Sequence, residues 1–163
     1  MKFEIRTHFD LPPEEYWTKS DSRELSRLID EASGVERTLL SEERGDGKTT
    51  REYRVTQTKD LPPAAQKMMR TQRLSYNQTQ AYDDASLSMR WSVNPEIFPG
   101  KVKIEGTVEV VPNGTGCERV VRGEINVAIP LVGGKIEKHV VNDLKRSYER
   151  AGRVTAEWLK ENS

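Results

Sequence analysis

The chain has 163 residues, 34% hydrophobic and 32% charged, a soluble composition long enough for one domain with a real core. Its 26 basic and 26 acidic residues cancel, so the basic footprint of a nucleic-acid binder is missing. One cysteine, Cys117, excludes an internal disulfide framework and fits a reducing cytoplasm, the expected location.

Lys2 to Phe9 alternates strictly, with Phe3, Ile5, Thr7 and Phe9 on one face, and reads as a strand wet on its other face. The start MKFEIRTHFD has no apolar core of the signal-peptide kind. "DLPPEEYW" opens a short helix to about Thr18, with prolines and then acids where a first turn accepts both. "SDSRELSRLIDEASG" predicts a second helix with a Ser or Asp cap and Gly34 as its stop. Strands follow over Val35 to Glu43 and Thr49 to Thr58, around the Asp-Gly of "RGDGK". "KDLPPAAQKMMR" inserts a short helix. Leu74 to Tyr82 then pairs with Ser86 to Val93, and Lys101 to Val111 with Glu118 to Ile129. Lys135 to about Glu161 is one long helix, with Ile136, Val140, Leu144, Tyr148, Ala151, Thr155 and Trp158 as its apolar stripe.

This order is α+β: a curved antiparallel sheet of about six or seven strands wrapped around a long C-terminal helix, with two short helices after the first strand. Residues 1–163 form a single domain. The longest uncharged apolar run, Val127 to Gly134, is far short of a membrane span. Gly133-Gly134-Lys135 joins the last strand to the helix. It lacks the spacing of a phosphate loop and has no Ser or Thr after the lysine, so it reads as a chain reversal with one glycine at positive φ.

The order of elements resembles the START-like helix-grip (SRPBCC) superfamily over nearly the whole chain. The segment "IPLVGGKIE", followed by a long helix ending in "TAEWL", is similar to a bacterial helix-grip family of unknown function. Pro130 to Glu137, Thr155 and Glu157 to Leu159 carry the match, with Ile129 where valine is expected. The resemblance implies the fold and a cavity between sheet and helix that takes an apolar ligand. The superfamily includes lipid carriers, aromatase/cyclases, hydrolases and co-chaperones.

The inward strand faces supply the candidate site. Tyr53, Tyr76, Gln78 and Gln80 place polar groups on rows that should face inward, which suits either an amphipathic pocket or a sheet end open to solvent. Met89, Trp91, Ile104 and Ile125 supply apolar wall from the strands, and Leu144 and Tyr148 from the helix. Gly106 and Gly123 on these rows mark either a bend or space for a ligand, with the bend favoured. Met68 and Met69 in the third helix, with Ile97 and Phe98 in "NPEIFPG", are the candidate rim, or else plug the barrel end. By resemblance, that loop falls where lipid-transfer relatives have a gate.

Chemistry is poorly signalled. His8, His139 and Cys117 have no partners at metal or triad spacing, so no catalytic residue, metal or cofactor is assigned. The expected function is binding or carriage of a small hydrophobic, lipid-like molecule, without nucleic acid and without stable membrane insertion. The alternatives are a cyclase- or hydrolase-like enzyme on the same scaffold and a co-chaperone-like interaction module.

Overall fold

The sheet begins with the alternating strand β1 (Lys2–Phe9) and continues after two helices, α1 (Pro13–Ser20) and α2 (Arg23–Ser33). A computed structural model describes all 163 residues. Helix α2 starts where the Ser22 side chain accepts a hydrogen bond from the Leu25 amide at 3.2 Å, and ends at Gly34, left-handed at φ 68°. A meander follows: β2 (Val35–Gly45), β3 (Lys48–Gln57), β4 (Ser75–Asp83), β5 (Ser88–Pro95), β6 (Val102–Asn113) and β7 (Gly116–Val127). Asp46 and Gly47, at φ 52° and 71°, make the β2–β3 turn, the positive-φ pair that Asp-Gly favours. Helix α3 (Pro63–Met69) interrupts the meander, and α4 (Gly133–Glu161) closes the chain. The seven strands order as β1-β7-β6-β5-β4-β3-β2, all antiparallel, with α4 lying across the curved inner face in the helix-grip arrangement. No helix is long and apolar enough to cross a membrane.

The side chains of α4 divide the gripped space into a filled end and a hollow end. Its first half carries Ile136, Val140 and Val141, which pack with Phe3, Trp91, Val121, Ile125 and Val127 in the main core. Helix α3 seals that end with Ala65 and Met69, together with Leu61 just before it. The second half of α4 turns the small residues Ser147, Ala151 and Thr155 toward polar strand rows, and these cannot fill the same width. Trp158 is not a core anchor: it is half-buried, its indole N–H reaching Glu24 Oε2 at 3.5 Å, while Ala151, Gly152 and Thr155 are the buried residues of this half.

The inward glycines belong to the filled end. Gly106 and Gly123 pair directly across β6 and β7. A Cβ on Gly123 would lie 2.5 Å from Phe3 Cζ and 2.9 Å from Trp91 Cζ2, so these aromatic rings, with centroids 6.2 Å apart, occupy the volume the glycines release. The glycines serve close packing and leave no room for a ligand.

Before α4 the chain reverses at Leu131, which is 98% exposed with φ 73°, and neither glycine of the pair has a positive φ. Gly133 is needed for close approach, because a Cβ there would sit 2.3 Å from the Val127 carbonyl oxygen. Gly134 has nothing within 4 Å. Gly133→Ala should therefore destabilise by roughly 1–3 kcal/mol, as overpacking does. Gly134→Ala should be neutral or stabilise by about 0.5 kcal/mol through helix propensity. Urea titration of the two variants checks this; equal effects would contradict the assignment of distinct roles.

Candidate functional site: a tyrosine-lined cavity

At the hollow end lies a cavity of about 360 Å³, within the range of small-molecule sites. Leu25, Ile29 and Asp30 of α2 and Tyr16 and Trp17 of α1 cover it from one side, and Leu144, Ser147, Tyr148, Ala151 and Thr155 of α4 from another. The sheet contributes Tyr53, Tyr76, Gln78, Gln80, Tyr82, Met89, Val108 and Val110. All five tyrosines of the chain (Tyr16, Tyr53, Tyr76, Tyr82 and Tyr148) line this one space.

Seven of the ten wall residues expected from the sequence lie here: Tyr53, Tyr76, Gln78, Gln80, Met89, Leu144 and Tyr148. Trp91 and Ile125 are buried in the main core instead, and Ile104 packs against it, because those strand positions face the first half of α4. The expected rim lies apart from this cavity as well. Met69 is fully buried and Met68, Ile97 and Phe98 pack against the main core, so these four plug the filled end. The opening is elsewhere. Asp21, Asp30, Arg37, Arg44, Arg51 and Tyr53 are shared with a second, polar hollow between α2 and the β2–β3 hairpin.

That mouth is a set of paired charges. Arg37 donates to Asp30 at 3.3 Å and to Gln78 Oε1, and its guanidinium lies 5.1 Å from the Tyr53 ring centre. Arg51 donates to Asp21 at 2.9 Å and Glu42 at 2.7 Å, and lies 5.1 Å from the Tyr82 ring centre. Trp17 meets the Tyr82 ring edge-on and donates its indole N–H to Asp84 at 2.9 Å. Tyr82 donates its hydroxyl to Gln80 Oε1 at 2.6 Å. The carbonyl oxygens of Gln78 and Gln80 are thus engaged, and each glutamine offers a ligand its amide N–H groups.

Deeper in, Arg119 of β7 reaches the cavity between the rings of Phe9 and Tyr148, 5.5 Å from each centre. None of the arginines was expected from the sequence, although the signal was present. Arg119 continues the Val121–Val127 inward row, Arg51 continues the Tyr53–Gln57 row, and Arg37 lies two residues from Val35.

Burial pushes three phenols up. Tyr82 rises from 10 to about 12, with Arg51 opposing, and Tyr76 and Tyr148 rise in the same direction against the nearby Arg37 and Arg119 charges. At neutral pH these phenols are O–H donors. The sign for stability follows: the folded value of Tyr82 lies above the unfolded one, so its contribution is whole below pH 10 and is lost as the pH climbs through about 12, and Tyr76 and Tyr148 act in the same direction. Ultraviolet titration should show these three holding their protons past pH 10 and releasing them with unfolding; ionisation of Tyr76, Tyr82 and Tyr148 in the folded protein near pH 10 would contradict their burial. Burial also pushes the Cys117 thiol up to about 11, which removes it as a nucleophile at neutral pH. No three His, Cys, Asp or Glu side chains cluster as metal ligands would.

The family described as "Protein of unknown function (DUF2505)" matches residues 4–159. The chain belongs to that family. No curated protein matches this DUF2505 chain in sequence. Its fold is similar to TTHA0849 from Thermus thermophilus, with TM-score 0.68 at 19% identity over 100% of this chain and 99% of that one. The Zhui aromatase/cyclase from Streptomyces sp. R1128 superposes with TM-score 0.67 at 12% identity, over 98% and 93% of the two chains. Ara h 8.0201 matches with the same score and identity over 99% and 98%. At these identities the likeness establishes the DUF2505 fold alone.

Proposed function

We propose that this DUF2505 protein binds and carries a small amphipathic molecule in the cavity between α2, the second half of α4 and the sheet. The observation that carries the reading is the convergence of all five tyrosines on one cavity whose wall also carries the apolar side chains of Leu25, Ile29, Met89, Val108, Val110 and Leu144. Rings and phenol donors on an apolar background orient a ligand that has both a hydrophobic body and polar groups. The pocket is more polar than a lipid-like ligand alone would need. A reducing cytoplasmic setting suits its one buried thiol.

The enzyme reading has one residue in its favour. Asp30 lines the cavity with its carboxyl pushed up by burial, although the Arg37 beside it opposes the shift. The interaction-module reading has less support. The outer sheet face carries ion pairs, Arg6 with Glu118 and Glu4, and Arg122 with Glu4 and Glu109, where a docking patch should be apolar.

Native mass spectrometry of freshly purified protein, followed by solvent extraction, tests the carrier. A bound small molecule released on denaturation is expected. A ligand-free protein that also takes up no amphipathic dye would contradict the proposal.

A further inference from the structure

The charges lining the cavity are not all alike. At the mouth, Arg37 is matched by Asp30, and Arg51 and Arg44 are matched by Asp21 and Glu42. Arg119 has no carboxylate. It is 8% exposed, its Nη1 donates to the Tyr16 hydroxyl at 3.3 Å, its Nη2 reaches Thr7 Oγ1 at 3.5 Å, and its Nε has no acceptor. Neutral hydroxyls and two ring faces soften a buried guanidinium but do not neutralise it. An arginine cannot escape by losing its proton, as a buried lysine can. The neighbouring groups that could become anions do not: burial pushes the Tyr148 phenol and the Cys117 thiol up, so both are neutral at physiological pH.

We infer that the missing counter-charge belongs to the ligand: the cavity takes an amphipathic molecule with a compact oxyanion, which docks on Arg119 with the Tyr16 and Thr7 hydroxyls beside it. A planar guanidinium with an unused N–H suits the two oxygens of a carboxylate or a similar acid. The apolar remainder of the ligand lies among the tyrosine rings between Arg119 and the mouth. This rests on the carrier reading above and adds the chemical class of the cargo.

Two dyes with the same ring system separate the inference from that reading: anilinonaphthalene sulfonate, which is anionic, and phenyl-naphthylamine, which is not. The parent protein should bind one equivalent of each, the sulfonate about tenfold tighter or more, as a buried charge-assisted contact gives. Arg119→Met should abolish the preference, keep the neutral dye, and melt at or above the parent temperature, because an unmatched buried charge has been removed. Arg119→Lys keeps the charge without the fork and should retain part of the preference, which serves if the Met variant does not fold. Arg122→Met, on the outer face, should leave the preference unchanged. Equal binding of both dyes by the parent would overturn the inference and spare the carrier reading. A preference that survives Arg119→Met would overturn it too, since the anion would then sit elsewhere. Binding of neither dye would remove the carrier reading itself.

Discussion

Replacing Gly123 by Leu is expected to destabilise the fold by roughly 4 kcal/mol or more, at the severe end of overpacking. The first added carbon already meets Phe3 Cζ at 2.5 Å and Trp91 Cζ2 at 2.9 Å. The rings cannot retreat freely. Trp91 packs over Gly106, where a Cβ would be 2.0 Å from the Arg122 carbonyl oxygen and 2.6 Å from Trp91 Cζ2. Total stability of a domain this size is about 5–15 kcal/mol, so the variant should be largely unfolded at modest urea concentrations. A Gly123→Leu protein with the parent midpoint would mean that the space over the β6–β7 glycines is empty.

The opposite outcome is expected at the hollow end. Ser147→Phe adds an aromatic ring to the α4 face that lines the cavity, and an existing void accepts volume that a dense core refuses. Its melting temperature should stay within a few degrees of the parent's, and its affinity for an amphipathic dye should fall about a hundredfold, because ligand and side chain compete for one space. Unchanged binding by a folded Ser147→Phe protein would place the ligand elsewhere. Together the two substitutions separate the parts of the gripped space by their response to added volume.

Much of this architecture was legible in the sequence because alternation and turn chemistry are local. The inward row of β1 and the long closing helix follow from periods of two and 3.6 residues, and the Gly34 stop of α2 and the Asp-Gly hairpin from turn chemistry. What was not legible depends on what stands opposite. Gly123 on an inward row looks the same whether it makes room for a ligand or for the Phe3 and Trp91 rings, and only the third dimension decides. Gly133 and Leu131 show a related limit. A glycine pair at a turn invites the positive φ, yet here Leu131 takes it and Gly133 answers to the Val127 carbonyl. The cavity was half visible, since Tyr53, Tyr76, Gln78 and Gln80 announced polar groups on an inward row. Arg119 shares a row with Val121 and Ile125, and a charged residue on a buried row breaks the usual pattern. Such breaks of a local rule are expected at functional or strained sites.

The central claim is that the ligand space lies at the α2 end of the grip and not beneath α3. Methyl nuclear magnetic resonance of labelled protein titrated with phenyl-naphthylamine tests it most directly. The largest shifts should fall on Ile29, Val35, Met89 and Leu144, which line the cavity. Shifts centred on Met68, Met69 and Ile97 at the plugged end, with the methyl groups of those four cavity residues unmoved, would contradict it.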